Sequence, residues 1–407
     1  MLARVRWLAV TTGLDVREPA GEDELRGAWR MLARSFNWPM GDDDKFLATV
    51  GPNERMRVAM VDGEVAGFSR VRPFGQFFGG RSVPMAGYSP VGVAPEFRGR
   101  GLGSTVTAAH FPVLRERGEV LAGLMPATTR LYRGVGFELG AVWAIRGLPI
   151  RSLQMLPPKP GVSVRRATLD DAPAIEACYA RHARSQPGWL DRPEVWWKRI
   201  LVDAWDERHV YVVDGTGGEL AGYVAFRQEP DKNARWGFIV AVSELIADEV
   251  DVAVALWRML GTSSSVSERV TTIGPPEHPL LLLLPEQDLK AEVELRYMLR
   301  LVDAPGAVAA RGFPPVSVTV DLEVTDRQCD WNSGSWRLVV EDGVGRLERG
   351  GRGDVRLGIG AFASLYSGYS SAHVLAHAGL LTGASERDHA ALHAAFAGPT
   401  PWLADFF

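Results

Sequence analysis

Residues 91–105 read VGVAPEFRGRGLGST. Arg98, Gly99, Arg100, Gly101, Leu102, Gly103 and Ser104 follow a valine-rich run. They open a stretch in which Leu102, Val106, Ala109 and Val113 recur at helical spacing. Glycine permits backbone conformations closed to other residues and lets a ligand approach the main chain. A strand that passes through such a loop into a helix aims several N–H groups at one point, and the helix dipole adds partial positive charge there. The chemistry this suits is the holding of a pyrophosphate. The spacing is R-x-x-G-x-G, on Arg98, Gly101 and Gly103. It is not G-x-x-x-x-G-K-[ST], since no lysine follows, and it is not G-x-G-x-x-G. The plainer alternative is a glycine-rich turn with solvated arginines; the preceding VGVAP and the following helix favour the ligand. Pro112 falls inside the predicted helix and is expected to kink its last turns.

A second candidate lies in RLYRGVGFELG, residues 130–140. Tyr132 sits on a predicted helix just before a glycine-containing turn and a further strand. A phenol, with a pKa of about 10, can donate a proton and be recharged by solvent. The alternative is a tyrosine whose ring packs in the core.

The elements that must position these residues form a repeated pattern. A chain of 407 residues is long for one core and predicts two or three domains. Residues 15–36 and 163–184 each read as a short strand, acidic residues suited to a helix start, and an amphipathic helix. VDGEVAGF at 61–68 and VDGTGGELAGY at 213–223 each read as two strands joined by a turn, at Asp62-Gly63 and Asp214-Gly215. Order and spacing favour a duplicated α/β unit. After its hairpin the second copy runs through FIVAVSELIADEVDVAVALWRMLG, a strand and a helix without the glycine cluster. It is expected to pack without binding the same ligand. Beyond residue 304 the pattern changes: 316–325 and 335–341 alternate like antiparallel strands, and helices are expected around 360–381 and 386–397. Proline-rich breaks at 156–161 and at Ala304-Pro305-Gly306 divide the chain into 1–155, 156–303 and 304–407.

Net charge is −4, which argues against a nucleic-acid partner. The only cysteines, Cys178 and Cys329, lie far apart in sequence and suit a reducing compartment. The N-terminus does not read as a signal peptide, and the apolar run Leu280–Leu284 is too short to span a bilayer. A cytoplasmic protein with no membrane partner is expected. His373 and His377, and His389 and His393, are spaced four apart, yet without an adjacent glutamate or a third ligand a metal site is not expected.

The pattern on Val93, Arg98, Gly101 and Gly103 resembles the signature of the GNAT superfamily of acetyl-coenzyme A-dependent acetyltransferases. The resemblance implies that Val91, Gly92 and Val93 pair their backbone with the pantetheine arm. It implies that Gly99–Ser104 hold the pyrophosphate with Arg98 and Arg100, and that Ala127 and Thr128 also touch the cofactor. A main-chain N–H would polarise the acetyl carbonyl. Direct attack needs a neutral amine, so a base must take a proton and an acid must return one to the departing thiolate. In this context the resemblance assigns the acid role to Tyr132.

Over almost the full chain the sequence resembles the Eis (enhanced intracellular survival) family. VAPEFRGRGLG, RLYRGVGFE, ALWRML at 255–260 and the ending PWLADFF carry the resemblance. It implies an α/β (α+β) fold class: tandem GNAT folds, the second degenerate, then a sterol-carrier-protein-like α/β domain. It also implies a homohexamer that acetylates primary amines, aminoglycosides and lysine side chains among them. The family's base is its C-terminal carboxylate, here that of Phe407. Its pKa of about 3.5 in water would rise on burial among aromatics such as Phe406. PWLADFF is apolar for a solvated end and is expected to dock rather than fray. Trp38 and Phe406 are expected to face the substrate. The penultimate residue is Phe406, with Asp405 one step further back, and Trp38 and Met40 precede Asp42, Asp43 and Asp44. Those aspartates read as a solvated loop and helix cap, so a more apolar amine pocket is expected. The competing function is a carrier protein whose third domain holds a lipid over a GNAT scaffold. The intact loop at 98–104 favours the enzyme.

Overall fold

The computed structural model describes residues 14–41, 43–51, 53–231 and 237–407. The first unit supplies β1 (Asp15–Arg17), β2 (Arg55–Val61), β3 (Glu64–Phe78), β4 (Arg81–Val93), β5 (Leu121–Leu124) and β6 (Glu138–Pro149). The second supplies β7 (Val164–Arg166), β8 (Leu190–Asp191), β9 (His209–Asp214), β10 (Leu220–Pro230), β11 (Phe238–Ala247), β12 (Arg269–Ile273) and β13 (Lys290–Leu301). These strands make one sheet in the order β1-β2-β3-β4-β5-β13-β6-β12-β11-β10-β9-β7, with β8 on β3.

The duplication is visible in the pairing. β2, β3 and β4 run antiparallel in succession, and β5 lies parallel to β4. β9, β10 and β11 do the same, and β12 lies parallel to β11. The first hairpin closes tightly, with Asp62 and Gly63 at φ 50° and 84°, a two-residue turn with both φ positive. The second is longer than its Asp214-Gly215 signal suggested: Leu220 pairs Asp214, and residues 215–219 form the loop. The units exchange a strand. β13, the last strand of the second unit in sequence, lies between β5 and β6, with Met298 opposite Leu124 and Leu295 opposite Trp143. β6 then pairs β12.

The helices flanking this sheet are α1 (Glu22–Phe36), α2 (Asp43–Ala48), α3 (Leu102–Ala108), α4 (Phe111–Glu116), α5 (Thr129–Gly134), α6 (Ala172–Ala183), α7 (Glu194–Trp197), α8 (Val250–Gly261) and α9 (Leu280–Leu283). The single helix expected after the glycine loop is two. Pro112 starts α4 instead of kinking α3, because in a first turn its missing N–H has no intrahelical partner to lose. His110, at this junction, is buried, and its Nε2 lies 2.9 Å from Ser69 Oγ. The Ser69 hydroxyl donates to the Val106 carbonyl at 2.9 Å, so the ring N–H donates to Ser69. Burial, with Arg57 and Arg55 adding repulsion, pushes the His110 pKa down to about 3. A folded pKa below the ordinary 6.5 means this neutral ring stabilises the fold fully above pH 6.5 and less as pH falls toward 3. Between pH 6.5 and 5, above the carboxylate range, the ring should account for a loss of about 2 kcal/mol. Thermal melts of His110→Asn across that window should show a shallower decline than wild type.

The third unit is a five-stranded sheet, β16-β15-β14-β17-β18, built from β14 (Val318–Thr325), β15 (Gly334–Glu341), β16 (Val344–Arg349), β17 (Val355–Gly358) and β18 (Leu381–Thr382). Its helices are α10 (Ala304–Ala310), α11 (Ile359–Ser367), α12 (Ala372–His377) and α13 (Glu386–Ala395). Ala304-Pro305-Gly306, read as a break, is the first turn of α10, with Pro305 in the position a helix tolerates. The helix expected over 360–381 is interrupted at Gly368, whose φ of 81° ends α11. α13 begins with a reciprocal cap between Ser385 and Asp388. One apolar core joins all three units: Phe78 and Leu121 of the first and Tyr297 of the second belong to the same buried cluster as Phe362, Tyr366 and Phe396 of the third. No helix among the described residues is long and apolar enough to cross a membrane.

Candidate active site

β4 pairs with β5 only from Met85 to Gly87, opposite Leu121 to Gly123. Ser89 and Pro90 interrupt the β3–β4 ladder, where Ser69 faces Val91 and Val71 faces Tyr88. This bulge turns the strand, as bulges do. Beyond it Val91, Gly92 and Val93 pair with β3 on one edge, and β5 no longer covers the other. The result is a V-shaped fork with free backbone along one arm. Gly92 is small for a packing reason: a Cβ there would sit 2.5 Å from Leu32 of α1.

The fork leads into the glycine loop. Gly99 and Gly101 have φ of 77° and 82°, which side chains disfavour, and Gly101 caps α3. No side chain caps that terminus, so the N–H groups of the first turn, Leu102, Gly103 and Ser104, point outward without intrahelical acceptors. Gly103 serves a different purpose from its two neighbours. A Cβ there would lie 2.6 Å from the Leu131 side chain, so its absence lets α5 pack on α3. Arg98 and Arg100 are exposed beside the loop, and the Arg100 guanidinium lies 5.2 Å from the Phe97 ring centroid. Ala127 and Thr128 are exposed on the segment between β5 and α5.

Tyr132, one residue beyond that packing contact, is buried, with its ring edge-on to Phe137 at 5.8 Å. Its hydroxyl makes no hydrogen bond among the described residues. Desolvation pushes its pKa up to about 12. The phenol therefore keeps its proton throughout the neutral and mildly alkaline range.

The last residue of the chain sits at the base of the fork. Phe407 is buried, and a Cβ on Gly87, where β4 and β5 part, would lie 2.7 Å from its ring. The ring packs on Phe74 at 5.2 Å and edge-on to Tyr297 at 6.2 Å. The expected docking of PWLADFF is thus observed, and it has specific anchors. Val142 donates to the Pro401 carbonyl at 3.0 Å and accepts from the Leu403 N–H at 2.9 Å, so the tail pairs with the stretch of β6 that β12, which covers only Ile145–Pro149, leaves unpaired. The Asp405 carboxylate, also buried, accepts from Arg192 at 3.1 Å and from the Trp196 indole at 2.9 Å. Arg192 in turn binds Glu244 at 2.6 Å and lies over Tyr179. Sequence reading passed over Arg192 and Glu244, since nothing local marks a pair separated by 52 residues as partners of Asp405.

Beside Phe74 lies a cavity of about 500 Å³, walled by Glu54, Arg72 and Phe74 of the first unit and Glu194, Trp196 and Arg199 of the second. Phe74 meets Trp196 edge-on at 5.2 Å. Glu54 is neutralised by Arg72 at 2.7 Å and Arg70 at 3.4 Å. Glu194 is exposed. These residues were missed because the wall combines side chains from two units.

Trp38 and Phe406 are not on this wall. Trp38 stacks between Trp29 and Phe36. Phe406 is 56% exposed and meets Trp143 at 5.3 Å. Asp43 and Asp44 start α2 and pair with Arg30 and Arg26, as a solvated helix start would. Asp42 lies outside the described residues. His373 stacks on His389 at 4.4 Å.

Two stretches, 16–140 and 188–301, match family models described as acetyltransferase (GNAT) domains, and 304–404 matches a sterol carrier protein domain. An uncharacterized N-acetyltransferase of Streptomyces avermitilis is 30% identical over 66% of this chain and 67% of its own. N-acetyltransferase Eis of Mycobacterium tuberculosis is 28% identical over 93% of this chain and 96% of its own. The crystal structure of a GCN5-related N-acetyltransferase from Kribbella flavida, 32% identical, superposes with a TM-score of 0.85, covering 98% of this chain and 100% of that one.

Proposed function

Because this chain belongs to the GCN5-related N-acetyltransferases, in their Eis-type three-unit form, we propose that it transfers an acetyl group from acetyl-coenzyme A directly to a primary amine. The observation that carries this reading is the position of Phe407 at the base of the β4–β5 fork.

The fork and loop fit the coenzyme. The uncapped first turn of α3 offers N–H donors to a diphosphate, with Arg98 and Arg100 alongside. A side chain on Gly99 would meet nothing within 4 Å, so the loop faces open space. The free edge of Val91–Val93 offers an extended amide arm a strand to pair with. When bound, acetyl-coenzyme A supplies an activated acyl carbon. The rest is the chain's own work. Backbone N–H groups along the fork orient and polarise the acyl carbonyl. The Phe407 carboxylate takes the proton that the attacking amine must lose, and Tyr132 donates one to the leaving sulfur. The amine enters from the cavity beside Phe74, with Glu194 available to a second ammonium of a polyamine, aminoglycoside or lysine-rich substrate. The third unit's buried Val320, Leu322, Leu338, Phe362 and Tyr366 fill its interior with side chains, which favours a packing role over lipid carriage.

The test is thiol release from acetyl-coenzyme A with a panel of polyamines and aminoglycosides, together with coenzyme binding by calorimetry. Wild type should bind the coenzyme and turn over. Gly101→Val, a β-branched residue at φ 82°, should weaken coenzyme binding at least tenfold. Unchanged coenzyme affinity in that variant would refute the assignment of the loop.

A further inference from the structure

The second unit keeps the fork and reverses the charge at its mouth. β11 pairs with β12 only from Ile239 to Val242, opposite Arg269 to Thr272. From Ser243 onward the two strands part as β4 and β5 do. Between them lies a cavity of about 660 Å³, larger than the one beside Phe74. Such a volume suits a small organic ligand. Trp189, Trp257, Ile273, Leu280 and Leu283 give it apolar walls, and Trp402 of the C-terminal tail closes one side.

Its polar groups differ from those of the first fork. Where β4 leads into Arg98–Ser104, β11 leads into Asp248 and Glu249, which stand directly before α8. The chain's own carboxylates thus take the place an anion would occupy at that helix terminus. Asp248 is paired with Arg181, and Glu244 with Arg192. Glu249 and Glu277, both exposed on the cavity's rim, have no cationic partner among the described residues. The wall histidines add no compensating charge near pH 7: burial pushes His278 down to about 4 and lowers His182 as well. A diphosphate is excluded on charge, and an apolar body with a cationic head is favoured.

We propose that the β11–β12 fork is a second binding site, for a small apolar molecule carrying a protonated amine, whose body lies among Trp189, Trp257 and Trp402 and whose head faces Glu249 and Glu277. The site does not depend on the catalytic reading, because none of its walls belongs to the β4–β5 fork.

Calorimetry on the full chain with three probes of one shape tests it: 2-(1-naphthyl)ethylamine, 2-(1-naphthyl)ethanol and 1-naphthaleneacetate. Wild type should bind the amine at least tenfold more tightly than the acetate, with the alcohol between them. Ala253→Trp, on α8 and inside the cavity, should weaken amine binding at least tenfold while thiol release stays within twofold of wild type. That retained turnover shows the variant is folded and the first site intact. The double variant Glu249→Gln, Glu277→Gln should leave the alcohol unchanged and bring amine and acetate within threefold of each other. It decides the question by itself should the tryptophan variant fail to fold. Unchanged amine affinity in a folded Ala253→Trp, or acetate bound as tightly as amine by wild type, overturns the proposal.

Discussion

Adding two residues after Phe407 is expected to reduce turnover by about 10²-fold or more, the scale of losing a positioned general base. The Phe407 ring can stay against Gly87 and Phe74, because the extension leaves that residue's side chain unaltered. The terminal carboxylate, however, moves outward by up to about 7 Å, the reach of two extended residues. Phe407→Ala separates anchoring from chemistry. It keeps a carboxylate at the end of the chain and loses a buried ring, a change that costs about 3–5 kcal/mol where a core cannot collapse around it. The tail retains its other ties, through Asp405 to Arg192 and through Leu403 to Val142. Phe407→Ala should therefore bind the coenzyme as wild type does and show a lower kcat, whereas the extended chain should lose nearly all turnover without losing its melting temperature. An extended chain that turns over within twofold of wild type would remove the carboxylate from the mechanism.

Tyr132→Phe is expected to lower kcat by about 10²-fold or more, with coenzyme affinity unchanged. The substitution keeps the ring against Phe137 and deletes a hydroxyl that has no hydrogen-bond partner among the described residues, so the fold should tolerate it. The pH profile adds a check. A phenol held near 12 by desolvation remains protonated well beyond its ordinary range. As pH rises from 7, the neutral fraction of a primary amine with pKa about 10.4 grows, so kcat/KM should climb and show no fall before about pH 10. A descending limb centred near pH 8 to 9 in wild type, absent in Tyr132→Phe, would contradict the burial of that hydroxyl.

Local signals were the ones legible in the sequence. The loop Arg98–Ser104 declared itself because positive φ at Gly99 and Gly101 is a requirement of consecutive residues, which spacing records. The duplicated hairpins and the helix starts were legible for the same reason. Pro112 was misread because proline both ends helices and begins them, and only the packing of the flanking turns decides which. Trp38 was placed in the substrate site on the strength of its loop. It stacks on Trp29 and Phe36 and keeps 37% of its surface exposed, a local contact that a one-dimensional reading does not show.

By itself the sequence determined the repeated α/β units, the glycine loop with its donors, the absence of that loop from the second copy, and an apolar tail that had to be buried. Each depends on residues close together in the chain, or on hydrophobicity that water alone penalises. Only the tertiary structure decided that β13 crosses to lie between β5 and β6, that Asp405 is held by Arg192 with Glu244 behind it, and that Phe407 comes to rest on Gly87 at the base of the fork. Those contacts join residues separated by 52 to 320 positions. They are selected by the complementarity of surfaces that exist only after the units have folded, so no spacing within the chain could encode them visibly.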